Sequence, residues 1–192
     1  MSQENVEIVR GARIVLSPLS ERAARRRTLD ERFFVRFPAI YRRQAAAFWR
    51  ATERSRLRRW GVAYSIQRGY AALNRRDYEV TLMRSDPDVE YRPSADLMPP
   101  DLESVFYGHD GYRKLWSRWF DAFEDMQFDP EEILVLGDRL LVTAQQRGHG
   151  SGSGVAMSQQ VFQLYKIRQG LSILQEDFTD WDKALEAAGL RE

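Results

Sequence analysis

The 192-residue chain contains no cysteine. That excludes a disulfide framework, a thiolate nucleophile and a zinc site built on thiolates. Histidine is nearly as scarce. His109 and His149 are far apart and share no acidic cluster, so they do not read as a metal centre. Lysine stands only at Lys114, Lys166 and Lys183, which leaves almost all positive charge to arginine. No apolar run approaches the ~20 residues that cross a bilayer. Met1–Asn5 carries no signal-peptide pattern. These absences predict a cytoplasmic protein.

A hydrophobic content of 43% and an aromatic content of 12% supply a buried core for one domain of ordinary size. The net charge of +1 conceals an asymmetry. Residues 1–60 hold 15 arginines against six carboxylates, a balance of +9, and residues 61–192 hold 14 basic against 22 acidic residues, a balance of −8. The chain therefore divides into a basic helical N-terminal part, 1–60, and an acidic domain, 61–192.

Within the basic part, Ser2–Arg10 has helical character, broken by Gly11 and Ser17-Pro18. Ser20, with Glu21 behind it, is an N-cap for a basic helix that ends at Phe37-Pro38, because the residue before proline is pushed out of the α region. Ala39 to Trp60 reads as amphipathic and helical, with Ile40, Phe48, Trp49 and Leu57 among arginines. From Val62 the pattern sharpens. Val62, Ile66, Tyr70 and Leu73 mark one face of a helix ending at Asn74, and Asp77 caps a short helix to Met83. Asp86-Pro87-Asp88 reads as a turn, Val89-Glu90-Tyr91 as the start of a strand, and residues 93–106, with Pro93, Pro99 and Pro100, as loop. Asp110 reads as the cap of a helix whose residues Tyr112, Leu115, Trp116, Trp119, Phe120 and Phe123 keep helical spacing throughout. Strands follow at 133–136, 139–147, 155–167 and 171–178, joined at Gly137-Asp138, the glycine-serine stretch 148–154 and Arg168-Gln169-Gly170. A short helix from Trp181 closes the chain. Helices first and a strand meander afterwards indicate α+β, a curved antiparallel sheet packed around helices and cupping an aromatic-lined pocket.

The series Arg68-Gly69-Tyr70-Ala71-Ala72-Leu73-Asn74-Arg75-Arg76-Asp77, then Asp86-Pro87-Asp88-Val89-Glu90-Tyr91, then Tyr107-Gly108-His109-Asp110-Gly111-Tyr112 resembles SnoaL-like proteins, with the three hairpin turns also at their places. These belong to the nuclear-transport-factor-2-like superfamily, which includes ketosteroid isomerases. The resemblance covers about residues 65–190. It implies a cone-shaped fold with an internal pocket for a hydrophobic small molecule, no cofactor, frequent homodimers, and either isomerase or cyclase chemistry beside a carbonyl or plain binding. Ser2–Arg10 also resembles a family start that normally runs straight into the helix of Gly69 and Tyr70. The roughly 50 residues between read as an insertion of no family-assigned role.

Proton transfer beside a carbonyl needs a base whose pKa desolvation has raised. Strand alternation puts Val161, Gln163, Tyr165 and Ile167 on one face, together with Ile173, Gln175 and Asp177 across a tight turn. Asp177 is thereby the candidate base, set against a rim carboxylate or helix cap near Thr179-Asp180. The opposite face, Phe162, Leu164, Leu174 and Phe178, is equally apolar, so alternation alone leaves the inner face open. Gln163 stands about where the resemblance places a histidine in catalytic relatives, and an amide orients a carbonyl but shuttles no proton. Tyr91, Trp116, Trp119, Phe120, Tyr165 and Gln175 are candidate pocket residues, with Arg147 as a candidate partner for an anionic ligand or for a surface carboxylate. His109 reads as a loop lock and His149 as an exposed turn residue. The arginines interleaved with Phe48, Trp49 and Trp60 invite a nucleic-acid or membrane reading. The acidic remainder of the chain offers a complementary surface instead. Packing on the outer face of the sheet or on a dimer partner is the preferred account of the insert.

Overall fold

A computed structural model describes residues 11–18, 25–53, 55–98 and 103–190. The expected helix at Ser2–Arg10 and the expected cap at Ser20 lie outside the described residues. The architecture is α+β, with a curved, open seven-stranded sheet in the order β1-β4-β5-β6-β7-β2-β3. The strands are β1 (Arg13–Val15), β2 (Ser85–Arg92), β3 (Phe106–Tyr107), β4 (Gln127–Leu136), β5 (Arg139–His149), β6 (Ala156–Arg168) and β7 (Leu171–Phe178). Neighbours pair antiparallel except β2 and β7, which run parallel. Among the described residues the α-helices are α1 (Leu29–Arg36), α2 (Pro38–Arg50), α3 (Arg56–Asn74), α4 (Tyr78–Leu82), α5 (Gly108–Ala122) and α6 (Trp181–Ala187).

Local chemistry sets most boundaries. Phe37 separates α1 from α2, and Pro38 takes the first turn of α2, where its missing N–H costs nothing. The chain breaks again at Ala51, and Ser55 caps α3 by accepting from the Arg58 N–H at 3.1 Å. Helix α3 then runs unbroken across residues 60 and 61, the point at which the charge balance changes sign. Gln169 and Gly170 both have positive φ, 53° and 80°, which is the backbone a two-residue hairpin turn requires.

Three local expectations are corrected. Asp86-Pro87-Asp88 is part of β2 rather than a turn. The β2–β7 ladder is irregular between Ser85 and Glu90, so Pro87 withholds no hydrogen bond that the sheet needs. Asp110 lies in the first turn of α5 and the capping position is Tyr107; an acid in that turn suits the helix dipole as well as a cap would. At the β6–β7 hairpin the register shifts between Lys166 and Ile167, so Ser172, not Ile173, stands opposite Ile167.

Two apolar clusters flank the sheet. The concave side holds Val62, Tyr70, Leu73, Tyr91, Tyr112, Leu115, Trp116, Phe120, Val142 and Val161. The convex side packs Leu134, Leu141, Phe162 and Leu164 against Ala184, Leu185 and Ala188 of the α6 region. That helix, capped by Asp180, explains why both faces of β6 and β7 read as apolar. That helix covers this part of the outer face, and the described helices of the basic segment pack elsewhere. Helices α1 and α2 lie over the mouth of the concave side, against α3, α4 and β7.

Candidate functional site: a cavity with a polar floor and an aromatic roof

A cavity of about 170 Å³ lies between the concave sheet face, α3 and the two insert helices. Its floor comes from β6, β7, α3 and α5. The pairing of Gln163 with Asp177 and of Tyr165 with Gln175 places all four side chains on the concave face, as strand alternation predicts.

The floor's hydrogen bonds centre on Asp177. Oδ1 accepts from Gln163 Nε2 and from Gln175 Nε2, each at 2.9 Å, and Oδ2 accepts from the Tyr91 hydroxyl. A carboxylate only accepts, so both glutamines must turn their NH₂ groups towards it and their carbonyl oxygens away. Those oxygens are met by phenols. Gln163 Oε1 accepts from Tyr70 and, at 3.4 Å, from Tyr165, while Gln175 Oε1 accepts from Tyr112 at 2.9 Å. Burial pushes the Asp177 carboxyl up to about 6, against the three hydrogen bonds that favour its charged form. Burial likewise raises Tyr70, Tyr91, Tyr112 and Tyr165, so the four phenols remain neutral donors.

Gln163, Gln175, Tyr70, Tyr112, Tyr165 and Trp116 line the cavity directly; Asp177 and Tyr91 do not. The two glutamines stand between Asp177 and the cavity. Phe120 is buried beside Trp116, and Trp119 stacks on Phe123; neither reaches the cavity. Arg147, at the far end of β5, is exposed and pairs with Asp129. His149 is also exposed and meets Asp125 at 2.9 Å, and His109 Nε2 lies 3.3 Å from the Ser85 carbonyl.

The roof is what sequence reasoning missed. Phe34 of α1 and Tyr41, Phe48 and Trp49 of α2 line the cavity opposite the floor. Tyr41 and Phe48 stand seven residues apart on α2, two helical turns, a signal visible in the sequence. Trp60 and Tyr64 of α3 stack at 5.2 Å beside them. The roof is tied down at its rim. Buried Glu31 accepts from Arg75 at 2.8 Å, Arg27 bridges Asp77 and Glu79, and Tyr64 donates to Asp30. Gly170 closes the other side, where an added Cβ would lie 2.5 Å from the Ala45 carbonyl.

A curved open sheet around a lined cavity defines an α+β cone of the nuclear-transport-factor-2-like type. Within it, the chain belongs to the SnoaL-like domain family, whose match spans residues 66–174. The fold is shared with TerC, crystallised with polyporic acid, at 24% identity and TM-score 0.55, over 66% of this chain and 96% of that one. An NTF2-like protein of unknown function from Burkholderia pseudomallei matches at 22% identity and TM-score 0.54, over 64% of this chain and 93% of its own. A ketosteroid-isomerase-like fold from Catenulispora acidiphila, in complex with trimethylamine, matches at 15% identity and TM-score 0.53, over 65% and 92% of the two chains. In sequence the chain matches no curated protein with significance.

Proposed function

We propose that this protein binds a hydrophobic, carbonyl-bearing small molecule in the cavity between floor and roof. The observation that carries this reading is the floor itself. Five neutral polar side chains (Tyr70, Tyr112, Gln163, Tyr165 and Gln175) form the floor of a largely apolar cavity, and the Asp177 hydrogen bonds hold the glutamines in one orientation. Apolar walls with a few oriented polar groups suit a ligand with one polar end. The complexes of TerC with polyporic acid and of the Catenulispora protein with trimethylamine support small-molecule binding by this fold.

A second reading is cofactor-free proton transfer, of isomerase or cyclase type, with Asp177 as base. A carboxyl near 6 is well matched to that task at neutral pH. Against it stand the two glutamines, which fill the space through which a ligand proton would pass. The two readings separate on acetophenone, a single-ring ketone with exchangeable α-protons. Binding without loss of the methyl resonance in deuterium oxide is the outcome expected of a binding protein. Protein-dependent deuteration that follows a pKa near 6 and disappears in Asp177→Asn would make the second reading the correct one. Failure of acetophenone and other single-ring carbonyl compounds to bind would contradict both.

A further inference from the structure

Resting on the reading of this cavity as a ligand site, we propose that its ligand is an aryl carboxylate, a single ring bearing one carboxylate group, received by Arg84. The cavity volume of about 170 Å³ sets the size. An apolar cavity of roughly 150 Å³ holds one benzene ring, so a monocyclic compound fills this one with the roof in place. The charge comes from an asymmetry between the two arginines that line the cavity, Arg58 and Arg84.

Arg58 is a structural cation. Its Nη1 and Nη2 donate to the carbonyls of Ala51 and Gly137 at 3.3 and 2.6 Å, and its guanidinium packs 4.1 Å from the centre of the Trp49 ring. Burial pushes its pKa down, and Glu53 offsets part of that.

Arg84 is half-buried and differently placed. Nε donates to the Ser65 carbonyl at 3.0 Å, Nη1 donates to the Val80 carbonyl, and the guanidinium stands 5.7 Å from the centre of the Tyr41 ring. These contacts fix the plane of the guanidinium without neutralising it. Among the described residues no carboxylate pairs with Arg84. The one carboxylate in the cavity lining, Asp30, takes the Tyr64 hydroxyl instead. A pre-oriented guanidinium with unused donors, facing a largely apolar cavity, is the group that receives a carboxylate. The ligand's ring then lies between roof aromatics such as Phe48 and the floor.

The test is calorimetric titration with benzoate and with benzamide, which share a ring and differ in charge, on the full chain and on Arg84→Gln and Arg84→Lys, with thermal melting as the check on folding. The wild type is expected to bind benzoate at least about tenfold more tightly than benzamide. Arg84→Gln is expected to erase that preference by weakening benzoate at least about tenfold more than benzamide, and Arg84→Lys to retain part of it. Equal affinity for the two compounds in the wild type, or a benzoate preference that survives in folded Arg84→Gln, overturns the assignment. Should Arg84→Gln not fold, the wild-type pair and Arg84→Lys decide it. Binding of benzamide alone removes the carboxylate and leaves the cavity reading standing, whereas binding of neither overturns both.

Discussion

The floor and the roof line one cavity but are held in opposite ways. The floor is fixed from within, by a buried carboxylate whose hydrogen bonds orient two glutamines and, through them, three phenols. The roof is fixed from its edge, by ion pairs and one close backbone contact, while its inward side is aromatic. Tyr70, Tyr112, Gln163 and Tyr165 fall within the span that matches the SnoaL-like domain, and α1 and α2 fall outside it. On the proposed reading the two regions divide the labour: the floor presents polar groups at set positions, and α1 and α2 limit how large a molecule can meet them.

Four changes break or sharpen this comparison. The largest effect is expected at the roof's anchor. Glu31→Ala removes a fully buried carboxylate that pairs with Arg75 at 2.8 Å and accepts from the Thr28 N–H, and should cost about 3–4 kcal/mol in denaturant unfolding, with ligand binding weakened as well. A loss below about 1 kcal/mol would show that the roof is held by other means.

The floor's anchor should respond to pH instead. The folded Asp177 carboxyl, near 6, lies above the roughly 3.9 of an unfolded aspartate, so the folded state holds this proton more tightly. Its stabilising contribution is complete below about pH 4 and is lost as pH rises through about 6. Asp177→Asn should therefore match the wild type near pH 4 and exceed it by about 3 kcal/mol at pH 8. Urea unfolding at the two pH values checks this, and a difference that does not change with pH would contradict it.

At the junction of the two regions, Gly170→Ala places a methyl 2.5 Å from the Ala45 carbonyl on a backbone with φ of 80°. A loss of about 2 kcal/mol is expected, visible as a lower melting temperature. The smallest effect belongs to a site outside the cavity. Arg147→Ala removes an exposed pair with Asp129 and should cost less than about 1 kcal/mol, leaving ligand affinity unchanged. Weakened binding in that variant would move the ligand site away from the roof.

How much of this was legible in the sequence follows from the range of each interaction. Local signals were readable: Asp77 as a cap, the hairpin turns, and the shared face of Gln163, Tyr165, Gln175 and Asp177. Strand β1 was not, because three residues, Arg13–Val15, pair with β4 more than a hundred positions away. Nor was the roof. The balance of +9 in residues 1–60 drew attention to the arginines, while Phe34, Tyr41 and Phe48 between them point inward. The layer order of the floor was equally hidden. Alternation puts Gln163 and Asp177 on one face, but only the assembled helices show that the glutamine faces the cavity and the carboxylate lies behind it.

The central claim is that floor and roof form a single binding site. Hydrogen–deuterium exchange, with and without a saturating concentration of whichever of benzoate and benzamide binds more tightly, tests it most directly. The account predicts ligand-induced protection in two separated segments at once, α2 across 38–50 and the β6–β7 hairpin across 161–178. Protection confined to the hairpin, with α2 unchanged, would contradict it.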